Sequence, residues 1–582
     1  MITSLQFLRR YVRPHTKLFF ILAGVLLLAI ALKVVTPILT GRFIDRALAG
    51  SEMRDLIAIA IAALLFSVGS QLLDVLETAL AEQLSWNATN ALRLDLAEHV
   101  LNLDYQFHTN VTPGELIERV DGDASQLAKF FSRFIVNIVS NVLLILLIIA
   151  ILMASDWRIG AGVTAITALA FLGAPMIRKR ASPAWQAERH TTAETYGFLS
   201  EYLEGLEDIR AGGPAARTHV ELSFLALLQR WYRRTMRAQM WGYALMSTTN
   251  GIFSLALTFS LGMGGYLVRS DALTLGGLFA VIRLVTLLRE PMTRLRDEVQ
   301  DLQQSAASLS RVQNLLAERP RIVDGPGGEL PDGPLSVKWR NASFAYQSGP
   351  SVLRNVSLNV EAGKILGIVG RTGSGKSTLT RFIPRYLDPD QGAVFVGGRD
   401  VRDLKLADLR SRIGVVSQDA MLLNASLRDN LTLFAPIDRA NDDRLAAELR
   451  LFGLGDWFDA LPNGLDTELG PGTGVGLSAG EAQLVCCVRI ALLDPAIILL
   501  DEASARLDLV SERTLHAALG KLLEGRTAII IAHRLDTLAF ADEIAVIQNG
   551  ELLENGPRDA LALDPVSHFS ALLRLDRQEV LG

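Results

Sequence analysis

Long apolar stretches dominate the first half of the chain and short ones the second. A helix needs roughly 20 apolar residues to cross a bilayer. Six stretches approach that: Leu18 to Leu39, Leu56 to Leu76, Phe134 to Ser155, Ile159 to Ile177, Leu245 to Val268 and Leu273 to Leu288. An even number of crossings puts both termini on one side. The N-terminal segment holds Arg9, Arg10, Arg13 and Lys17 and no acid, which makes that side the cytoplasm. The run after it is too long, and too poor in a small-residue cleavage site, for a secretory signal, so it reads as a retained first span.

The connections are uneven. Only Asp156 to Arg158 joins the third and fourth stretches and only Arg269 to Ala272 the fifth and sixth, whereas the second-to-third and fourth-to-fifth connections, on the cytoplasmic side, are long. From Glu77 to Leu103 and from Ala187 to Tyr243 they keep a helical pattern with few Gly or Pro, which predicts membrane helices prolonged past the lipid into paired levers. Turn formers place the lever tips near Asp104 to Asn110 and near Gly205 to Gly213. Arg283 lies roughly 12 Å along a helix that begins near Leu275, at 1.5 Å per residue. A charge there faces protein or water rather than lipid, either as a contact for an acidic or hydrogen-bonding cargo or as an ion-paired or snorkelling side chain. The same two readings hold for Asp74, Glu77 and Asn250, whose position near the cytoplasmic ends favours the structural one.

Between Ala317 and Pro334 the chain turns Pro- and Gly-rich. This predicts a membrane domain over residues 1–316, a linker over 317–334 and a soluble domain over 335–582. In the last of these the apolar runs shrink to strand length: Ile365 to Val369, Ile413 to Val416, Ile497 to Leu500, Ala528 to Ile531 and Ile544 to Ile547. Alternation of such strands with helical stretches predicts an α/β fold. The fold class is thus an all-α six-span domain with long cytoplasmic helices, followed by an α/β phosphate-binding domain.

The first of these strands runs into Gly370-Arg371-Thr372-Gly373-Ser374-Gly375-Lys376-Ser377-Thr378, a G-x-x-x-x-G-K-[ST] loop between strand and helix. Its glycines let backbone N–H groups curl around phosphate oxygens at a helix N-terminus. Lys376 is placed to bridge the β- and γ-phosphates, and the Ser377 hydroxyl to hold Mg²⁺. A second strand ends at Asp501-Glu502, at the carboxyl edge where ligands bind in open α/β sheets. Asp501 is then a Mg²⁺ contact and Glu502 the group that polarises the attacking water, the parts phosphoryl transfer requires. A third strand ends at Ala532-His533, which makes His533 a γ-phosphate contact.

Composition agrees with a membrane part joined to a soluble one. Of 582 residues half are hydrophobic and 20% charged, with mean hydropathy +0.28, too apolar for a wholly soluble chain and too charged for a wholly embedded one. Net charge is −5, which sets aside a nucleic-acid binder that must neutralise many phosphates. The two cysteines, Cys486 and Cys487, are adjacent and poorly placed to pair, so they read as buried core residues in a reducing compartment.

The order of Gly370 to Thr378, Gln418, Leu477-Ser478-Ala479-Gly480-Glu481, Leu499-Leu500-Asp501-Glu502, Leu507-Asp508 and His533 resembles the nucleotide-binding domain of ABC transporters. Upstream, Pro113-Gly114-Glu115-Leu116, Glu204-Gly205 through Ala211 and Leu275-Gly276 through Pro291 resemble six-span exporter-type half-transporters. The resemblance implies ATP and Mg²⁺ as ligands, Tyr346 stacking on adenine, and Gln418 sensing Mg²⁺. It also implies coupling helices at the lever tips and a second half-transporter as partner. In that family the ATP held by Lys376 is completed by Ser478 and Gly480 of the other chain.

Two departures stand out. The signature is Leu-Ser-Ala-Gly-Glu rather than Leu-Ser-Gly-Gly-Gln, and Arg506 replaces the family's usual Ala. Ala479 and Glu481 weaken the site to which this chain lends its signature, whereas its own catalytic set is complete. That asymmetry is expected of one member of a bacterial heterodimer, with a homodimer as the alternative. The expected activity is ATP-driven export of a small molecule, lipid or peptide from the bacterial cytoplasm across the inner membrane. An exporter-fold importer of metal chelates and a non-transporting regulatory ATPase are the rival readings.

Overall fold

The computed structural model describes residues 10–133, 138–346, 349–417, 420–435, 441–470, 476–501, 509–532 and 535–580. They divide into two compact units, Met1–Leu101 with Pro113–Glu318 and Asn102–Thr112 with Arg319–Gly582.

The helices of the first half run in the order α1 (Thr16–Leu48), α2 (Met53–Leu101), α3 (Tyr105–Asn110), α4 (Pro113–Ile117), α5 (Asp123–Arg133), α6 (Ser140–Ser155), α7 (Trp157–Glu204), α8 (Leu206–Ala211), α9 (Gly213–Arg269), α10 (Leu275–Leu287) and α11 (Arg289–Ala317). All but α3 belong to the first unit. Arg10–Leu48, Met53–Leu101 and Gly213–Arg269 are long and apolar enough by length and composition to cross a membrane. Ser140–Ser155 and Trp157–Gly173 are shorter apolar helical stretches, and Leu275–Leu287 carries the sixth. The start of the expected third span, residues 134–137, lies outside the described residues.

The levers are continuous with the spans. Helices α2, α7 and α9 contain 49, 48 and 57 residues, or about 70 to 85 Å at 1.5 Å per residue. That is more than twice the roughly 30 Å hydrocarbon thickness. The break between α6 and α7 is made by Asp156, whose carboxylate accepts from the Arg158 amide at 2.8 Å and caps α7. Helices α7 and α9 are tied by polar contacts: Trp231 Nε1 donates to Thr192 Oγ1 at 3.0 Å and Arg234 to the buried Thr191 Oγ1 at 2.6 Å. Between them α8 forms the second tip, bounded by Gly205 and by Gly213 at φ +73°. Asp123 on α5 is fully buried and accepts a forked pair of hydrogen bonds from Arg311 on α11, which gives the buried carboxylate the partner it requires.

Helices α1 and α10 cross at close range. A Cβ built on Gly41 would lie 2.4 Å from the Gly276 carbonyl oxygen, and one on Gly276 would lie 2.0 Å from that of Gly41, so neither position accepts a side chain. One turn on, the Asp45 carboxylate accepts from Thr274 Oγ1 and from the Gly276 amide, both at 2.7 Å.

The second unit holds two main sheets. β1 (Val337–Ala345), β2 (Ser351–Val360), β4 (Gln391–Val396) and β5 (Arg399–Asp400) form an antiparallel sheet in the order β2-β1-β4-β5. β3 (Ile365–Val369), β6 (Ile413–Val416), β9 (Ile497–Asp501), β10 (Thr527–Ile531), β11 (Glu543–Gln548) and β12 (Glu551–Pro557) form the other, ordered β12-β11-β3-β10-β9-β6 and parallel except at β12. The five sequence-predicted strands are its parallel members; the antiparallel sheet was not anticipated. A short pair, β7 (Ala425–Ser426) with β8 (Glu468–Leu469), lies apart. Side chains of the parallel sheet alternate between two cores. Ile498, Leu500 and Ile530 point to the core that holds the buried Cys487, and Ile497, Leu499 and Ile529 to the core under the antiparallel sheet around Trp339. The expected linker is docked: Gly325 and Gly327 donate to Leu404 and Asp403 carbonyls at 3.0 Å.

Candidate active site

Sheet register gathers the expected chemistry at one edge. Asp501, the last residue of β9, pairs with Ile531 of β10, and Ile531 pairs with Ile368 of β3, two residues before Gly370. Val416 of β6 pairs with Leu500. The phosphate loop, Asp501 and the segments that follow Val416 and Ile531 therefore all leave the sheet at its carboxyl ends. Gln418, Glu502 and His533, which follow these strands, lie outside the described residues.

The loop is built by its glycines. Gly370, Gly373 and Gly375 have φ of +154°, +81° and +104°, a region that disfavours a Cβ. A Cβ on Gly370 would lie 2.1 Å from the Ile547 carbonyl oxygen, so the loop also presses on β11. Gly373 instead borders open space, with nothing within 4 Å of such a Cβ. The next helix, α12 (Lys376–Arg381), starts directly at Gly375. Lys376 is buried and its ammonium donates to the carbonyl oxygens of Gly370 at 2.7 Å and Arg371 at 3.1 Å. Ser374 is buried, and its hydroxyl oxygen has no hydrogen-bond partner among the described residues. A buried hydroxyl without a partner at the base of an open, glycine-lined loop fits a phosphate. The oxygen donors Ser377 and Asp501 are of the hard type that Mg²⁺ takes.

Tyr346 is half-buried at the end of β1, its ring edge-on to Phe344 at 4.9 Å. Its hydroxyl shares a hydrogen bond with Thr378 at 3.1 Å and accepts from Arg381 at 3.1 Å. Arg381 was not singled out by its sequence, where it is one of many arginines on a helix.

The signature begins helix α13 (Ala479–Leu493), with Ser478 as its cap. Glu481 closes the cap reciprocally: its Oε2 accepts from the Ser478 amide at 2.8 Å and from the Ser478 hydroxyl at 2.9 Å, while Ser478 Oγ accepts from the Glu481 amide at 3.2 Å. Ser478 and Ala479 are exposed and Gly480 is buried. Gln483, a turn later, donates to the Ser417 carbonyl at 3.3 Å and so ties α13 to the residue before Gln418.

In the membrane unit, Asp74 is ion-paired with Lys33 at 2.7 Å, in keeping with the structural reading. Glu77 is buried with one carboxyl oxygen lacking a partner among the described residues. Arg283 is exposed on α10 and makes no hydrogen bond or ion pair among the described residues.

Residues 19–292 match the family described as ABC transporter transmembrane region, and residues 353–505 the family described as ABC transporter. The chain belongs to the ABC transporters. Among its relatives, the Bacillus subtilis (strain 168) protein YgaD, named for multidrug export, is 28% identical over 97% of this chain and 98% of its own length. An ATP-dependent lipid A-core flippase of Syntrophus aciditrophicus is 29% identical over 95% of this chain and 91% of its own. A solved bacterial Atm1-family ABC exporter with ATP bound shares the fold, with a TM-score of 0.79 at 24% identity over 97% of this chain and 98% of that one. This ABC transporter is therefore a multi-pass membrane protein of the exporter fold, with its ATPase region fused behind its membrane region. It binds and hydrolyses ATP to drive transport.

Proposed function

We propose that the chain is one half of a paired exporter of the bacterial inner membrane, with both termini and the ATPase domain in the cytoplasm. Its membrane domain is taken as residues 1–316, its linker as 317–334 and its ATPase domain as 335–582. The cargo class is a small molecule, lipid or peptide, in keeping with relatives named for multidrug export and lipid A-core flipping.

In this reading the Gly370 to Thr378 loop cradles the phosphates, and Lys376 exchanges the Gly370 and Arg371 carbonyls for phosphate oxygens. Tyr346 offers its ring to adenine. Ser377 and Asp501, with Gln418, would hold Mg²⁺, which when bound neutralises charge on the phosphates. Glu502 orients and polarises water, and His533 holds the γ-phosphate side. Ser478 and Gly480 complete the ATP site of the partner chain.

The observation that carries the pairing with a different partner is the Ser478–Glu481 cap. A hydroxyl that donates to Glu481 has no proton left for a phosphate, and a carboxylate in its place repels one. This chain thus supplies the base to a competent site and a weakened signature to the other. The expected partner has a Leu-Ser-Gly-Gly-Gln signature and an altered residue at its equivalent of Glu502. The test is ATPase and cargo flux in proteoliposomes with and without the candidate partner. Cargo-coupled activity at full rate from this chain alone would overturn the heterodimer.

A further inference from the structure

The second compact unit contains a segment that the sequence places with the membrane levers, Asn102–Thr112, which carries the first lever tip, α3. Two of its side chains, Asp104 and Tyr105, make contacts within that unit. The Asp104 carboxylate accepts from the amides of Arg321 and Ile322 at 2.5 and 3.2 Å. The Tyr105 ring stacks on Tyr386 with centroids 5.5 Å apart and planes 17° from parallel, and the Arg381 guanidinium lies 5.1 Å from the Tyr105 ring centroid.

Arg381 is also the side chain that donates to the Tyr346 hydroxyl. One planar guanidinium therefore touches the tyrosine offered to adenine and the aromatic ring of the lever tip. It stands at the end of the helix that opens at the phosphate loop. A guanidinium can hydrogen-bond in its plane while its face lies over a ring, and the two contacts share one rigid group.

We propose that Arg381 is a positioning residue that reads the adenine ring through Tyr346 and sets the seating of Asn102–Thr112 through Tyr105. The route runs from the base of the nucleotide rather than from its γ-phosphate. Adenine stacked on Tyr346 fixes that ring, the ring fixes Arg381, and Arg381 holds Tyr105. By linkage, a seated Tyr105 strengthens adenine binding by the same factor. The inference rests on the assignment of Tyr346 to adenine.

The test uses the full-length transporter in lipid nanodiscs, with ATP and inorganic tripolyphosphate as probes under non-turnover conditions. In the unsubstituted protein ATP is expected to slow amide exchange over residues 102–112 and tripolyphosphate is not. Arg381→Met is expected to weaken ATP binding by about 10- to 150-fold, the range for a charged hydrogen bond, to leave tripolyphosphate binding unchanged, and to abolish the ATP-dependent protection. Arg381→Lys, which keeps the charge, is expected to lose the same protection, because an ammonium lacks the planar fork. Equal protection by tripolyphosphate, persistent protection in both variants, or parallel loss of ATP and tripolyphosphate binding would each overturn the proposal. Tyr346→Leu separates the premise from the relay. If it leaves the ratio of ATP to tripolyphosphate affinity unchanged, the adenine assignment fails. If it lowers that ratio while Arg381→Met does not, only the relay fails.

Discussion

The ammonium of Lys376 lies 2.7 Å from the carbonyl oxygen of Gly370, the residue that opens the loop. The lysine thus braces its own loop with a charged hydrogen bond, in a setting where it is almost fully buried. Lys376→Ala removes both this brace and the phosphate contact. It is expected to lose ATP binding and to lower the melting temperature of the nucleotide-free protein, since charged hydrogen bonds contribute about 1.5 to 3 kcal/mol. Isothermal titration and differential scanning fluorimetry read the two effects separately.

Glu502→Gln keeps the size and the hydrogen-bonding reach of the side chain but not its basicity. ATP binding should persist while turnover falls by about 10² to 10⁴, the usual range for a general base. ATPase at the normal rate in the paired transporter would show that the base lies elsewhere.

At the signature, Glu481→Gln replaces the acceptor of the Ser478 hydroxyl by a neutral group and removes a negative charge from the cap. ATPase of the assembled pair should rise by a few-fold, while thermal stability falls by less than about 1 kcal/mol, the weight of one arm of a capping box. Steady-state kinetics with the partner present makes the comparison.

Arg283 is exposed on α10 with no partner among the described residues. Arg283→Ala should therefore alter cargo-stimulated ATPase and flux, with basal ATPase and melting temperature unchanged. A drop in expression or stability would assign it to the packing of the assembled transporter instead.

Burial pushes the Cys487 thiol up to about 12 and raises that of its neighbour Cys486. Both thiols should resist iodoacetamide at pH 8 in the folded protein and react promptly in denaturant. Unfolding frees thiols with an ordinary pKa of about 8.5, so stability is unaffected below that value and falls as pH climbs from it toward 12. A stability profile from pH 7 to 11, compared with Cys487→Ala, isolates the contribution.

The elements legible in the sequence were those whose pattern has one physical cause. Ile497 to Leu500 is apolar at every position because both faces of a parallel strand are covered, and the structure has it as the strand that delivers Asp501. The tips at α3 and α8 announced themselves through turn formers, Asp104 before one and Gly205 before the other. The antiparallel sheet did not. In β1 the buried positions Val337, Trp339, Ala342 and Phe344 slip register at bulges, which blurs the alternation that marks a half-buried strand. Arg381 and Tyr105 were silent because their roles come from contact between segments far apart in the chain, one at a lever tip and one behind the phosphate loop. Nor did the sequence disclose that Glu481 would turn back on Ser478, although a serine followed three residues later by a glutamate is the mark of a capping box.

The glycine crossing of α1 and α10 leaves no slack. The two backbones lie in mutual contact, and Asp45 pins them one turn on. In this conformation the first and last spans meet there with no side chain between them, like two planed faces pressed together. An alanine at either glycine would act as a wedge between those faces.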